Sequence, residues 1–161
     1  MKRKKEYIKI ISIILVIVWC ITVFCLSAEV ADDSSNTSGN TIKLALRIIN
    51  PKIDSITLEK MVLIMQPIVR KMAHFTLYAI GGALLFNMID NFTTSRFRNV
   101  VISWTSGSFY AITDEIHQLF VAGRSGELRD VCIDSLGVLC GICVIFLITL
   151  FYEEHNKKKE E

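Results

Sequence analysis

Four apolar runs divide the chain. The first, Ile8 to Leu26, is interrupted only by Lys9 and two hydroxyl side chains; Met72 to Ile89, Val100 to Val121 and Val131 to Tyr152 follow. Crossing about 30 Å of hydrocarbon takes about twenty mostly apolar residues. Each run therefore predicts a spanning helix, and together they predict an all-α fold: a four-helix transmembrane bundle, one domain over residues 1–161 with no internal repeat. The basic start "MKRKK" also suits a signal peptide, but the first run is longer than an h-region of about 7–15 residues and no small-residue cleavage site follows it. It is read as an uncleaved span.

The 27–69 segment has a different pattern. "SAEVADDSSNTSGN" is polar and turn-rich and predicts a mobile linker. "TIKLALRIIN" then puts Ile42, Ala45, Leu46 and Ile49 on one helical face and Lys43, Arg47 and Asn50 opposite, and "TLEKMVLIMQ" is similarly two-faced. Both predict short amphipathic helices, lying on the outer membrane surface or covering the bundle mouth as a lid. Lys2, Arg3, Lys4, Lys5 and Lys9 flank the first run, which keeps the N-terminus cytoplasmic. Four spans then return the C-terminus and the loop with Arg96 and Arg98 to that side, and place 27–69 and "AGRSGELR" outside.

Composition adds little to this pattern. A 52% hydrophobic chain is too apolar for an ordinary soluble domain, and a net charge of +2 is too small to suggest a nucleic-acid partner. Cys20, Cys25, Cys132, Cys140 and Cys143 all fall inside the runs and read as small apolar packing residues.

The chemistry lies where the runs turn polar. In the third, Ser103, Ser106, Tyr110, Asp114, His117 and Gln118 recur at spacings of three and four and share a helical face; Ile102, Phe109, Ile112, Ile116 and Leu119 lie on the other side. Arg70, His74 and Tyr78 stack at i, i+4 and i+8 at the start of the second run. Asp130 and Asp134 open the fourth, followed on the same face by Gly137 and Gly141, a small-residue stripe that permits close helix approach. Counted back from Gly123, Asp114 lies about 13 Å below the outer end. A charge near the bilayer centre costs roughly 2.5–3.5 kcal/mol on insertion scales, so Asp114 and Glu115 need partners, and Arg70, Lys71, His74, Arg124 and Arg129 are the candidates. The three polar faces thus predict an outward-facing pocket in the outer half of the bundle.

Three kinds of chemistry are considered for it. An anion site fits the cations: arginine suits bidentate binding of phosphate or carboxylate, and "AGRSGE" offers backbone N–H groups for a nest. Ser125, Glu127 and Asp130 equally suit a helix cap and first turn; the two roles are compatible. For acid–base catalysis the candidates are His74, Asp114, Glu115 and His117, but no G-x-S-x-G or P-loop accompanies them, so an enzymatic role stays open. No metal and no cofactor is expected. Asp114 and His117 form only half of the acid-x-x-His pattern of carboxylate di-metal bundles, His74 has basic neighbours in sequence and no acid, and the nearby cations disfavour a divalent ion.

The blocks "RKMAHFTLYAIGGALL", "DEIHQLFVAGRSGELRD" and "VCIDSLGVLCG" resemble the VanZ-like family of bacterial membrane proteins. The resemblance covers Arg70 to Gly141, and the first run by placement only. It implies a four-span protein of the bacterial plasma membrane whose founding relative is linked to resistance to the glycopeptide teicoplanin, and it brings no catalytic mechanism. Joined to the residues, it gives the expected function: binding an anionic envelope component, a membrane lipid or lipid-linked cell-wall component, and so contributing to glycopeptide resistance or envelope homeostasis. The alternative is an enzyme hydrolysing or transferring a group on a lipid-linked cell-wall precursor, with His, Asp or Glu as acid–base groups and an arginine clamp. A homo-oligomer is left open. The topology is checked with single cysteines in a cysteine-free background: an impermeant thiol reagent on intact cells should label residue 38 and spare residue 95, and the reverse pattern would invert the orientation.

Overall fold

The computed structural model describes residues 2–160, and among them the fold is all-helical: α1 (Lys2–Ser27), α2 (Ala31–Ile49), α3 (Ser55–Asp90), α4 (Arg96–Gln118) and α5 (Leu128–Glu160). Three of these, α1, α3 and α5, are long and apolar enough to cross a membrane; α4 is not. Its polar residues explain the difference. Asn99, Ser103, Asp114, Glu115 and Gln118 are buried against the other helices, whereas Phe97, Ile102, Phe109, Ile112 and Ile116 are exposed. Averaging around the helix hides an outer face that carries large apolar side chains.

Glycines set the packing. A Cβ on Gly141 would stand 1.7 Å from the Ala79 carbonyl oxygen, one on Gly137 2.5 Å from that of Phe75, and one on Gly82 2.1 Å from that of Val138. The α3 and α5 backbones therefore touch, as the stripe on the fourth run predicts. Gly81 leaves room for the Trp19 indole, whose Nε1 donates to the Leu77 carbonyl at 2.9 Å. This locks α1 against α3. Trp19, Val23 and Ser27 form the buried face of α1, while Ile14, Ile17, Ile21 and Phe24 stay exposed.

Several expectations need correction. The "mobile linker" is the first half of α2. Its polar residues are helix-compatible because Ser38 and Thr41 turn their hydroxyls back to the Ser34 and Thr37 carbonyls, a bond that satisfies them without leaving the helix. Small Gly39 fits against Val62, and Gln66 donates to the Ser35 carbonyl at 2.7 Å, docking α2 on the first half of α3. The second amphipathic segment is no separate helix: Asp54 caps it by accepting from the Thr57 N–H, and it runs through Pro67 into the second apolar run as one 36-residue helix. At 1.5 Å per residue α3 is about 54 Å long, well beyond a bilayer core of about 30 Å. The helix of the third apolar run, α4, ends at Gln118, not Val121, which leaves Asp114 about 6 Å from its end. α5 begins at Leu128, so Glu127 and not Ser125 stands at its cap position. Of the cysteines only Cys20 is partly buried. The other four are exposed and free, including Cys140 and Cys143, which stand at C-x-x-C spacing on the outer surface of α5.

The backbone contact yields a stability test. Gly141→Val is expected to destabilise the protein by about 3 kcal/mol, the upper end for overpacking. Gly39→Ala meets only an ordinary 3.6 Å contact with Val62 and should be neutral or gain up to about 1 kcal/mol of helix propensity. Thermal unfolding in detergent checks both.

Candidate functional site

Helix packing brings four polar side chains together from three helices. His74 and Tyr78 lie one turn apart on α3, Asp114 comes from α4 and Asp134 from α5. One ligand atom each of His74, Asp114 and Asp134 lies within 4.8 Å of the other two. His74 Nδ1 is 3.9 Å from Asp134 Oδ2. Asp114 Oδ2 accepts from Ser27 Oγ at 2.9 Å and from Gln118 Nε2 at 3.2 Å. Both carboxylates are almost completely buried. Were both ionised, charges this close would repel by roughly 3–4 kcal/mol even at an effective dielectric near 20, so the pair calls for a shared proton or a bound cation. The Tyr78 hydroxyl, also buried, has no hydrogen-bond partner.

Above this floor opens a cavity of about 290 Å³, walled by α3, α4, α5 and the 119–127 loop. The loop is fastened from three sides. Glu115 Oε1 accepts from the Glu127 backbone N–H at 2.8 Å. The Ala31 N–H donates to the Ala122 carbonyl, and Gly123 turns the chain with φ +76°, its Cα so near Ala31 that a Cβ would stand 3.0 Å from that side chain. Arg124 reaches the end of α1, donating to the Glu29 carbonyl at 2.9 Å and the Leu26 carbonyl at 3.2 Å, which serves carbonyls a helix end leaves unpaired.

The rim cations divide into two kinds. Lys71 is bonded to Asp130 and lies 3.7 Å from Glu127, and Arg129, largely exposed, pairs with Glu127 at 3.0 Å. These charges are answered locally. Arg124 has no carboxylate partner, and Arg70 has neither an ion pair nor a hydrogen bond among the described residues. Burial first, and the nearby Arg70 charge second, push the Arg124 guanidinium below its usual range, though a guanidinium stays cationic in proteins. A second cavity, of about 250 Å³, shares Arg70, His74 and Arg124 with the first and continues past Leu26, Val69, Ala73 and Leu77 toward the hydroxyls of α2.

Most of the residues singled out in the sequence meet here. Arg70, Lys71, His74, Glu115, Gln118, Arg124, Ser125, Glu127, Arg129, Asp130 and Asp134 line the larger cavity, with Asp114 and Tyr78 beneath it. His117 does not. It faces α1, stacked on Phe24 with ring centroids 4.5 Å apart, its Nε2 buried and unpartnered. It leaves the list of acid–base candidates. Ser106 is exposed, Ser103 bonds to Asn99, and Tyr110 donates to the Cys20 carbonyl at 2.6 Å, so the polar stripe of α4 serves helix packing except at its end. Ser27 is the residue the pattern missed; a lone serine closing an apolar run carries no signal. The acid missing beside His74 in sequence is supplied by α5.

Helices apolar outside and acid–histidine inside define a class: a helical membrane protein with a polar site within its bundle. Residues 12–150 match the sequence model of the family described as VanZ/LLP1, and the chain belongs to that family. Neither a curated protein nor a solved structure matches it.

The Glu115 bond gives a test of how the cavity is walled. Glu115→Ala removes the acceptor for the Glu127 N–H, a charge-assisted bond of about 1.5–3 kcal/mol, and should raise hydrogen exchange across 119–127. Glu115→Gln keeps an oxygen in place and should leave exchange nearly unchanged.

Proposed function

We propose that the protein is a multi-pass protein of the bacterial plasma membrane, with four spans and both termini cytoplasmic, that binds an anionic, lipid-linked envelope component in the outward-opening cavity. The observation that carries this reading is the pair of guanidinium groups, Arg70 and Arg124, at a half-buried rim with no carboxylate within ion-pair distance among the described residues. Arginine binds phosphate bidentately, and a phosphoryl group is the natural counter-ion for two adjacent guanidiniums. The smaller cavity supports the lipid part: its wall of Leu26, Val69, Ala73 and Leu77 leads away from the same arginines and suits an acyl or prenyl chain. The apolar outer face of α4 supports a fourth span. Glycopeptide tolerance follows on this reading from capture of an envelope component at the outer leaflet.

The enzymatic alternative rests on His74. With His117 turned to Phe24, His74 is the one base beside the buried acids, and an adjacent Asp134 is positioned to orient it as a carboxylate orients a catalytic imidazole. The two readings share an experiment. Purified protein in nanodiscs is titrated with a polyprenyl phosphate, the matching polyprenol and inorganic phosphate. Binding should require both the phosphate and the chain. Arg70→Gln should weaken it about 10–100-fold, the equivalent of one charged hydrogen-bond pair, while Arg129→Gln, whose side chain is 71% exposed, should change it little. Equal binding by wild type and Arg70→Gln would refute the anion site. Product release by wild type, lost in His74→Gln, selects the enzyme.

A further inference from the structure

His74, Asp114 and Asp134 leave a problem that the anion reading does not touch. Two carboxylates sit together at the bottom of the cavity, and no lysine or arginine among the described residues pairs with either. Lys71 is engaged by Asp130 and Glu127, and Arg124 is held by the carbonyls of Leu26 and Glu29. Among the described residues the only neighbour of Asp134 within ion-pair distance is an imidazole. Asp114 spends one oxygen on Ser27 and Gln118, which fixes its rotamer and leaves the other oxygen free. A second observation lies one turn along α3: the hydroxyl of Tyr78 is wholly buried, makes no hydrogen bond within 3.5 Å among the described residues, and faces Asp114 closely and Asp134 beyond it. An orphaned donor–acceptor, two uncompensated carboxylates and a ring nitrogen all meet at one point.

We infer that this point is a divalent metal site, with His74, Asp114 and Asp134 as protein ligands and the Tyr78 hydroxyl beside them. A donor set of one imidazole nitrogen and two carboxylate oxygens suits a transition ion that accepts nitrogen beside oxygen, zinc first and manganese second, over calcium or magnesium, which take oxygen ligands. Ligand atoms around zinc, at bonds of about 2.0–2.2 Å, stand closer together than those here, so binding draws the three side chains inward by rotation about their own bonds. The ion neutralises the pair of acids, and its open positions face the cavity. The site stands on its own residues and holds whether or not the arginines above it bind an anion.

The test uses the metal alone. The full-length protein in detergent, stripped with a chelator and desalted, is titrated with zinc, manganese, magnesium and calcium salts, following thermal unfolding and bound metal by mass spectrometry. Zinc or manganese should bind at one ion per chain and raise the melting temperature. Asp134→Asn and His74→Gln should abolish the shift, and Asp130→Asn, whose carboxylate serves Lys71, should keep it. Ser27→Ala leaves every ligand in place but frees Asp114, and should weaken binding about 10–100-fold, as loss of a bond that orients a ligand does. Wild-type binding alone decides the case should Asp134→Asn fail to fold. No stoichiometric metal in wild type, a preference for calcium or magnesium, or an undiminished shift in Asp134→Asn and His74→Gln would each overturn the assignment.

Discussion

The contact between the α3 and α5 backbones, glycine against carbonyl at three levels, fixes the separation of everything above it. Gly141 meets Ala79 and Gly137 meets Phe75; just outward of this, His74, the residue before Phe75, comes to Asp134, one turn before Gly137. A larger residue in the stripe would push the helices apart where the cavity floor is built. Close approach of this kind is the usual way helices associate in lipid, where apolar surface gains nothing by being hidden. Here the same device also sets the spacing of a histidine and an aspartate.

Around that contact the polar groups are sorted by direction. α4 turns Asn99, Ser103, Asp114 and Gln118 inward and presents isoleucine and phenylalanine outward. Acids left facing hydrocarbon would cost several kcal/mol, comparable to the whole stability of a domain at about 5–15 kcal/mol. The chain avoids this by gathering them against one another. Proximity between like groups replaces exposure to lipid, and among the described residues no lysine or arginine comes within ion-pair distance of Asp114 or Asp134: Lys71 and Arg124 are occupied elsewhere, and Arg70 stands free at the rim.

Periodicity made much of this legible. Asp114 and Gln118, His74 and Tyr78, and Asp134 and Gly137 could be put on inward faces from spacing alone, because intramembrane polar residues have few places to go. Spacing failed where two faces of one helix are both occupied. His117 lies three residues from Asp114 and still turns to Phe24, since the stripe is wide enough to touch α1 as well as the cavity. It failed again in 27–40, where serine, threonine and asparagine read as linker; the Ser38 hydroxyl bonds within the helix, and docking against Val62 and Gln66 is a tertiary fact. The pairing of His74 with an acid from α5 was invisible because neither residue's sequence neighbours announce it.

The Arg124 clasp on Leu26 and Glu29 joins positions nearly a hundred residues apart and has a consequence for synthesis. α1 enters the membrane first, and its last carbonyls wait until the 119–127 loop is made. Asp114 likewise emerges before Asp134 exists, on α4, which is not among the three helices long and apolar enough to cross a membrane. Ser27 and His74 are already present to receive it. On the four-span reading, the order of the chain would deliver each costly residue to a bilayer that already holds part of its destination, with α5 and its Gly137 and Gly141 closing the bundle last.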